Sequence, residues 1–557
     1  MKVFKKVLAL TLSLLTASSL LACDRGGDST DNGGNGGSIG TGSIELKISP
    51  FNGGYGLDWL DAISAEFVKE NPDVKVVYNK TTVKRSDQVT ALKSGTADAD
   101  LYITGLNIHT QINNQLPIVE LTDIYNEVLS SNIIDSVENW YSHDGKQYGV
   151  PWGTATLGVL YHKDYFAENN IQVPRTTNEL IAAAQKITEL GKNGSRQEYY
   201  AFSYSDNEDT GECYWDYLFN PWLAQYEGIA NYEKYWDGKL KDGSVDDSGA
   251  IASEYKGVLR TLEVYEEILN PSNNFNHKQS KDDDFTTAQF RFLDGETKMM
   301  FNGDWIVQEM VKSNSYTKEE TADVAFMRAP IISSMVETMP MWTEAENVHY
   351  TTDPTSLGED AGIPLSAERK AAYEKALVAI IDYIDGVTNV APTNVDGIIV
   401  SEEDIARVRE ARSITPSMSD SHIMVIPTCS DQIELAKKFI KFMYSEKGIA
   451  LYSSNVYGTG LPINYSEGEI QSLVGDSALL KSAYSMLGEG SYLTFYSGGK
   501  NSLFTNGGLK PTFRSDGKSF IECMTASAAS NYEGAYTFYN KSVMQIITAW
   551  DTIYSKR

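Results

Sequence analysis

The residues best suited to chemistry lie in a short stretch, residues 144–163, that turns sharply and carries one large aromatic side chain. Trp152 stands within a Gly-Val-Pro-Trp-Gly sequence at residues 149–153. Proline fixes its own φ and has no backbone donor, and glycine tolerates unusual dihedrals, so this backbone is shaped for a turn. An apolar run at residues 157–161 follows and predicts a buried strand. We interpret the stretch as a crossing between two lobes, where Trp152 faces a ligand or wedges the hinge.

Sequence motifs for covalent catalysis or tight metal binding are not visible. The six histidines form no HExxH pair, no two cysteines are spaced as CxxC, and there is neither a Walker A loop nor a GxSxG elbow between a strand and a helix. Acidic runs at residues 206–212 and 282–284 offer oxygen ligands for Ca²⁺, but they lack the spacing of a known calcium loop and fit a solvated face better. The sequence therefore predicts no catalytic residue, no cofactor and no metal ion.

The N-terminal residues predict export and a lipid anchor. Three lysines precede an apolar run at residues 7–15, which is too short to span a bilayer and is typical of a signal peptide. The Leu-Leu-Ala-Cys sequence ending at Cys23 resembles the lipobox of bacterial lipoproteins, in which the cysteine is lipidated. We predict a signal peptide at residues 1–22, then the lipidated cysteine and a Gly-rich tether at residues 23–43, which places the body outside the bacterial cell membrane. An uncleaved anchor or an ordinary signal peptide is the alternative.

The length of the chain indicates how many lobes it forms, and its net charge indicates which kinds of partner it can bind. At 557 residues the chain is too long for one ordinary core, so two or more lobes are expected. The formal net charge of −28 makes nucleic acid and an anionic membrane surface poor partners. Beyond the leader no apolar run approaches the length of a spanning helix, so we expect an anchored body. Three further cysteines without short spacing are predicted to be small buried side chains: Cys213, Cys429 and Cys523.

Strand and helix patterns alternate at the start of the body and must position any ligand site. Alternating apolar residues predict strands at residues 44–48 and 74–78, and a helical face lies between them at residues 60–67. A third strand is predicted at residues 101–103. This order favours a parallel sheet with right-handed crossovers, whose ligands bind beyond the carboxyl ends of the strands.

Six short motifs, in order along the chain, resemble those of the extracellular solute-binding proteins of carbohydrate ABC importers, the maltose-binding-protein-like family. They lie at residues 67–76, 95–100, 144–152, 160–164, 292–305 and 436–444. The resemblance implies a type II periplasmic-binding-protein-like fold: two α/β lobes, each a mainly parallel sheet flanked by helices, with a ligand cleft between them. It also implies a sugar or oligosaccharide ligand, which needs flat rings for its C–H face and paired polar groups for its hydroxyls.

The resemblance points to candidate ligand-binding residues in the second lobe. Trp305 ends a Gly-Asp-Trp sequence similar to the family's Gly-x-Trp, whose tryptophan stacks on sugar. Asp304 beside it either accepts hydrogen bonds from hydroxyls or caps the following helix. Tyr214, Trp215 and Asp216 occupy the position of an aromatic wall in that family.

Further candidates come from loops of the first lobe. Phe51, Asn52 and Tyr55 follow the first strand, and Asn107 follows the third strand. Both loops lie at the sheet edge where ligands bind, so we predict that some of these side chains reach into the cleft, together with Trp152.

The order of motifs also suggests domain limits. We assign residues 44–153 and about 322–444 to lobe 1, and residues 154–321 and about 445–557 to lobe 2. A segment at about 333–421 interrupts the resemblance and has helical patterns of its own, including a capping pair formed by Ser401 and Asp404.

Three functions fit these observations. The resemblance implies a lipid-anchored receptor that closes around a sugar and presents it to the transmembrane subunits of an ABC permease. A secreted carbohydrate-active enzyme is the first alternative, since two carboxylates distant in sequence can meet in space. A surface glycan-binding adhesin or scaffold with a degenerate cleft is the second.

Overall fold

The computed structural model contains two main β-sheets covered by helices, and three chain segments cross between these two sheets. Four two-stranded sheets make up the rest of the strands in the described residues; they pair 142–143 with 146–147, 192–193 with 196–197, 394–395 with 398–399, and 414–415 with 492–493. It describes residues 36–81, 85–104, 116–130, 132–138, 140–205, 217–313, 315–343, 366–419, 422–456, 458–474, 477–488, 490–494, 513–527 and 532–554. The strands of the two sheets are β1 (Gly36–Ile39), β2 (Ile44–Ser49), β3 (Val74–Asn79), β4 (Leu101–Thr104), β5 (Val150–Pro151), β6 (Leu157–His162), β7 (Tyr200–Ser203), β8 (Thr297–Gly303), β9 (Val324–Met327) and β10 (Ile423–Val425).

The first sheet has the order β1-β3-β2-β4-β10-β5. Strand β2 pairs in parallel with β3 and β4, which confirms the alternation of strands and helices expected from the sequence. Strands β1, β10 and β5 run antiparallel to their neighbours at the two sides of this parallel centre. The sheet therefore presents the carboxyl ends of β2, β3 and β4 at one edge, and the loop at residues 50–57 leaves from there.

The second sheet has the order β7-β8-β6-β9. Strands β7 and β8 form its one parallel pair. Strands β8 and β9 both run antiparallel to β6, which lies between them. The two-lobe α/β architecture is confirmed, but both sheets are mixed rather than mainly parallel: three of five strand pairs in the first sheet and two of three in the second are antiparallel.

Helices surround both sheets, and their local signals agree with the sequence. Helix Asp58–Glu70 buries Leu60, Ile63 and Phe67, and the side chain of Thr176 caps helix Thr177–Leu190. The remaining helices of eight or more residues are Arg85–Ser94, Phe219–Glu227, Ile229–Trp236, Gly257–Leu269, Phe285–Leu293, Ala367–Ile384, Glu402–Ser413, Ile433–Met443, Glu446–Val456, Glu467–Val474 and Ala535–Thr548. Shorter helical segments are Thr122–Ile124, Tyr125–Leu129, Asp135–Glu138, Lys163–Glu168, Ile251–Glu254, Pro271–Asn273, Ile306–Lys312, Ser333–Thr338, Ala478–Tyr484, Phe520–Met524 and Trp550–Tyr554.

Two of the predicted lobe boundaries need correction. Residues from about 322 were assigned to the first lobe, yet β9 pairs with β6 in the second sheet, and the chain rejoins the first sheet only at β10. The second lobe was expected to resume at about 445, yet helix Glu446–Val456 packs on Asp58–Glu70 in the first lobe. Both errors have one cause, because an apolar run or an amphipathic helix carries no local information about which sheet it covers.

The inserted segment folds onto the second lobe. Its helices Ala367–Ile384 and Glu402–Ser413 pack against each other, and the second of them also contacts helix Phe219–Glu227. The predicted capping pair is confirmed, since Ser401 and Asp404 form a complete capping box.

The ends of the chain differ from expectation in two details. Residues 36–39 were assigned to a flexible tether, but they form β1, which pairs antiparallel with β3. Cys523 is buried as predicted, whereas Cys429 is exposed. Cys23 and Cys213 lie outside the described residues.

Candidate functional site

Three segments of the chain cross between the two sheets side by side. The first, residues 152–156, joins β5 to β6; the second, residues 416–419, leads toward β10; and the third is residues 458–463. Residues 144–163 were predicted to contain such a crossing, and the strand pairing confirms it.

Buried threonine and serine hydroxyls bind the three crossings to one another. The hydroxyl oxygens of Thr154 and Thr459 lie 2.9 Å apart, and the Thr154 amide donates to the Gly460 carbonyl at 2.8 Å. On the other side, Ser417 Oγ donates to the Thr154 carbonyl at 2.6 Å. Thr154, Thr459 and Ser417 are buried, so this small network is a desolvated joint between the lobes.

The backbone of the joint is strained at Ala155. Its φ of 46° lies in the left-handed region, which a residue with a Cβ adopts at a cost. Two hydrogen bonds hold it there: the Ala155 amide donates to Thr459 Oγ1 at 2.9 Å, and its carbonyl accepts from the Met418 amide at 3.0 Å. Each bond goes to a different crossing, so all three crossings fix this conformation.

Asp304 connects the second lobe to the first. It follows β8 and is fully buried; its Oδ1 accepts from Tyr55 Oη at 2.5 Å, and its Oδ2 accepts from the Thr156 amide at 2.8 Å. Burial raises the pKa of the Asp304 carboxyl to about 6, although its hydrogen bonds act in the opposite direction. Both carboxylate oxygens of Asp304 therefore accept hydrogen bonds from residues outside helix Ile306–Lys312. Of the two roles considered for Asp304, capping of that helix is excluded.

Trp305 lies between aromatic rings of both lobes. Its ring is half-buried and makes edge-to-face contacts with Tyr55 at 6.3 Å and with Tyr217 at 6.1 Å between centroids. A Cβ on Gly303 would lie 2.1 Å from the Trp305 ring, so only glycine permits this fold-back of the indole. Tyr217 belongs to a stretch of the sequence rich in aromatic residues, 213–226, but was not among the predicted ligand-binding residues.

Trp152 lies in a packed aromatic cluster on the first-lobe side of the joint. Its indole N–H donates to the Thr104 carbonyl at 3.0 Å, its ring stacks on Trp59 with centroids 5.8 Å apart, and His422 lies 4.7 Å away. The side chain has no exposed surface. Of the two open roles for Trp152, this placement favours the wedge at the hinge over a ligand-facing wall.

The loop after β2 supplies the remaining first-lobe candidates. Phe51 is buried against Trp152, with ring centroids 6.0 Å apart. Asn52 is half-buried; its Nδ2 donates to the Lys80 carbonyl at 2.6 Å, and its Oδ1 accepts from Lys312 Nζ at 3.2 Å. Lys312 ends the short helix that starts beside Trp305, so Asn52 makes a second polar contact between the lobes.

The structure thus brings together five of the predicted ligand-binding residues around one region between the lobes and places Trp152 next to them. The five are Phe51, Asn52, Tyr55, Asp304 and Trp305. The other candidates, Asn107, Tyr214, Trp215 and Asp216, lie outside the described residues, as does the lipidation candidate Cys23.

Several residues of this region escaped the sequence analysis. Trp59, His422 and Thr459 lie on segments that carry no motif of their own, and Thr156 was not singled out although it belongs to residues 144–163. The aromatic density near Tyr217 was the one signal that pointed toward its position.

The described part of the chain contains no group of three or more His, Cys, Asp or Glu side chains placed to hold a metal ion. Two members of the acidic run at residues 282–284 have structural partners instead. Asp283 forms an ion pair with Arg291, and Asp284 accepts from the Thr287 amide at 2.7 Å as the cap of a helix.

Comparison with known proteins decides the family. Residues 53–450 match the family described as bacterial extracellular solute-binding protein, which is more than half of the chain. The chain belongs to this family. In the described ranges, no helix is both long and apolar enough to cross a bilayer.

Relatives of this solute-binding protein resemble it over part of their length. It is 28% identical over 180 residues to the diacetylchitobiose binding protein DasA of Streptomyces coelicolor, covering 31% of this chain and 40% of that protein. It is 29% identical over 154 residues to an uncharacterized ABC transporter extracellular-binding protein of Pyrococcus horikoshii, covering 26% and 35%. The chain thus spans less than half the length of these relatives.

Solved structures agree on the fold. The bacterial solute receptor AcbH, described as preferring β-D-galactopyranose, superposes with a TM-score of 0.56 over 92% of this chain and 100% of its own, at 13% identity. A chitin oligosaccharide binding protein gives a TM-score of 0.52 with the same coverage and 14% identity. At this identity the likeness establishes the type II two-lobe fold of the family.

Proposed function

We propose that this solute-binding protein is a receptor for a sugar or oligosaccharide, which it binds between its two lobes and delivers to an ABC permease. The single observation that carries the proposal is the meeting of Tyr55, Asp304, Trp305 and Tyr217 at the lobe interface. An aromatic face and a carboxylate side by side supply what a sugar needs, namely a flat surface for C–H groups and an acceptor for hydroxyls. The diacetylchitobiose binding protein named above supports the same class of ligand.

Entry of a ligand requires the lobes to part. Asp304 is fully buried, and the Tyr55 hydroxyl occupies one of its oxygens. A sugar hydroxyl that donates to Asp304 would replace that of Tyr55, and the ring beside it would lie on Trp305. Binding would then favour the lobe arrangement that holds the sugar more tightly. The size of this shift is set by the difference between the sugar affinities of the two arrangements.

The test is calorimetric titration of the purified mature chain with a panel of mono- and oligosaccharides that includes chitin, galactose-containing, maltose-type and xylose-type sugars. We expect saturable binding of at least one sugar and recovery of that sugar unchanged by chromatography. Absence of binding across the panel would contradict the proposal, and conversion of the sugar would favour a carbohydrate-active enzyme.

The proposal extends to the anchor and the location. We propose that residues 1–22 are removed and that Cys23 carries lipid, so that the Gly-rich stretch between Cys23 and β1 holds the folded body outside the cell membrane. Cys23→Ser should release the protein from the membrane fraction into the medium or the soluble periplasmic fraction, whereas Cys429→Ser should remain membrane-bound. Equal retention of both variants would rule out Cys23 as the anchor.

A further inference from the structure

Three charged side chains meet where the inserted segment touches the second lobe. Arg328 directly follows β9, Asp385 follows helix Ala367–Ile384, and Arg412 lies at the end of helix Glu402–Ser413. Arg412 Nε and Nη2 donate to Asp385 Oδ1 and Oδ2 at 3.0 and 2.6 Å. Arg328 Nη1 lies 4.0 Å from Asp385 Oδ1. One carboxylate therefore faces two guanidinium groups.

Each of the two arginines has one buried donor nitrogen without a hydrogen-bond partner in the described part of the chain. Arg412 Nη1 and Arg328 Nε are buried and have no hydrogen-bond partner among the described residues. The Arg412 side chain is 10% exposed and that of Arg328 is 37% exposed, so the site opens to solvent along Arg328. A buried N–H on a charged group that stays unpaired is costly, and such groups are normally satisfied by a ligand or by water.

Two guanidinium groups share one carboxylate at this site. Burial and the neighbouring Arg412 lower the pKa of Arg328 to about 10, and Asp385 acts in the opposite direction. The carboxyl ends of helices Ala367–Ile384 and Glu402–Ser413 each add about half of a negative charge, so the surroundings of the two arginines are close to neutral, and the unsatisfied donors rather than a net charge mark the site. The nearby carboxylate of Asp382 is bound by Arg175 Nη1 at 2.5 Å and is not available.

We propose that Arg328 and Arg412 form a binding site for a small oxyanion, either a carboxylate or inorganic phosphate. Guanidinium N–H groups make strong hydrogen bonds to the oxygens of such an anion, and Arg328 Nε and Arg412 Nη1 would supply the donors that are now unsatisfied, while the other face of Arg412 stays on Asp385. The site is separate from the interlobe aromatic residues, because β9 lies on one side of β6 while β8, which leads to Asp304, lies on the other. It does not depend on the proposed sugar-binding function.

The test is thermal unfolding and calorimetric titration of the mature chain with sodium acetate and with sodium phosphate, at constant ionic strength maintained with sodium chloride. We expect a saturable rise in Tm and saturable heat with at least one of the two anions. Acetate alone, phosphate alone or both identify the preferred oxyanion. Arg328→Gln should raise the half-saturating concentration at least about ten-fold, which corresponds to about 1.4 kcal/mol.

The controls separate a site from a general salt effect. Arg196 is exposed, so Arg196→Gln removes the same charge without touching the site and should leave both titrations unchanged. Arg328→Lys keeps the charge but loses the planar fork, so it should also weaken binding. It provides the test if Arg328→Gln does not fold. A rise in Tm that is linear, or equal in the wild-type chain and the Arg328 variants, would overturn the proposal and indicate that the donors are satisfied by water only.

Discussion

At Asp304, burial of a carboxylate opposes the hydrogen bonds that it accepts. Burial prevails, because the pKa of Asp304 is raised to about 6 although Tyr55 and Thr156 both donate to it. A raised pKa means that the folded chain holds this proton over a pH range in which the unfolded chain, with a carboxyl pKa of about 3.9, has released it. The contribution of Asp304 to stability is thus fully present below about pH 4 and is lost as the pH rises to about 6.

We therefore predict a pH-dependent difference between the wild-type chain and Asp304→Asn. In urea unfolding between pH 4 and pH 7, the free energy of unfolding of the wild type should fall relative to the variant by on the order of 3 kcal/mol as the pH rises to about 6. Asp551→Asn, which changes an exposed aspartate, should run parallel to the wild type. A constant difference between wild type and Asp304→Asn would contradict the assigned pKa.

At the scale of elements, the hydroxyl of Thr459 is the central connection of the three crossings. It accepts from the Ala155 amide and contacts the hydroxyl of Thr154. Thr459→Val preserves the shape but leaves the Ala155 amide without an acceptor, so it should lower the free energy of unfolding by about 1 to 3 kcal/mol. Thr459→Ser keeps the hydroxyl and should lower the free energy of unfolding clearly less. Both values are measured by urea unfolding. Equal losses would mean that the methyl group, not the hydrogen bond, matters.

The strained backbone at Ala155 gives a second prediction for the joint. Glycine adopts a φ of 46° without penalty, so Ala155→Gly should relieve strain that offsets the loss of one buried methyl group. Ala184→Gly removes an equally buried methyl group from helix Thr177–Leu190, where glycine is also a poor helix former. Denaturant unfolding should show Ala155→Gly to be more stable than Ala184→Gly by about 1 kcal/mol or more. The reverse order would show that the joint is not strained.

The local elements of this fold could be predicted from the sequence because they depend on local chemistry. The alternation at residues 44–48, the buried face of helix Asp58–Glu70 and the capping box at Ser401 are each encoded within a few residues. The sheet to which β9 belongs could not be predicted, because four buried apolar residues pair equally well with either sheet.

The same limit applies to the candidate site. The motif around Trp305 and the loop containing Tyr55 could each be identified, but the hydrogen bond that joins Tyr55 to Asp304 spans 249 residues of sequence. Contacts at that separation are determined by how the lobes fold together, and one sequence without an alignment does not record them. The unsatisfied donors of Arg328 and Arg412 were invisible for the same reason.

At the scale of the whole molecule, two sheets meet through three crossings, and the crossings lie directly behind the residues proposed to bind a ligand. Thr156 belongs to the first crossing and donates its amide to Asp304, so the joint and the site share one hydrogen bond. A change at Asp304 is therefore transmitted to the joint through a direct contact. We therefore propose that occupancy of the site is coupled to the relative position of the lobes.

The measurement that tests the account most directly is the affinity of Trp305→Ala for the best-bound sugar of the panel, compared with that of Trp342→Ala. Both tryptophans are half-buried and both contact another ring, but Trp342 packs on Tyr373 in the inserted segment. By calorimetry, Trp305→Ala should raise Kd at least about ten-fold through the loss of about 1.4 kcal/mol, while Trp342→Ala should bind like the wild type. If the two variants bind the sugar equally well, Trp305 does not contact it and the proposed site between the lobes is wrong.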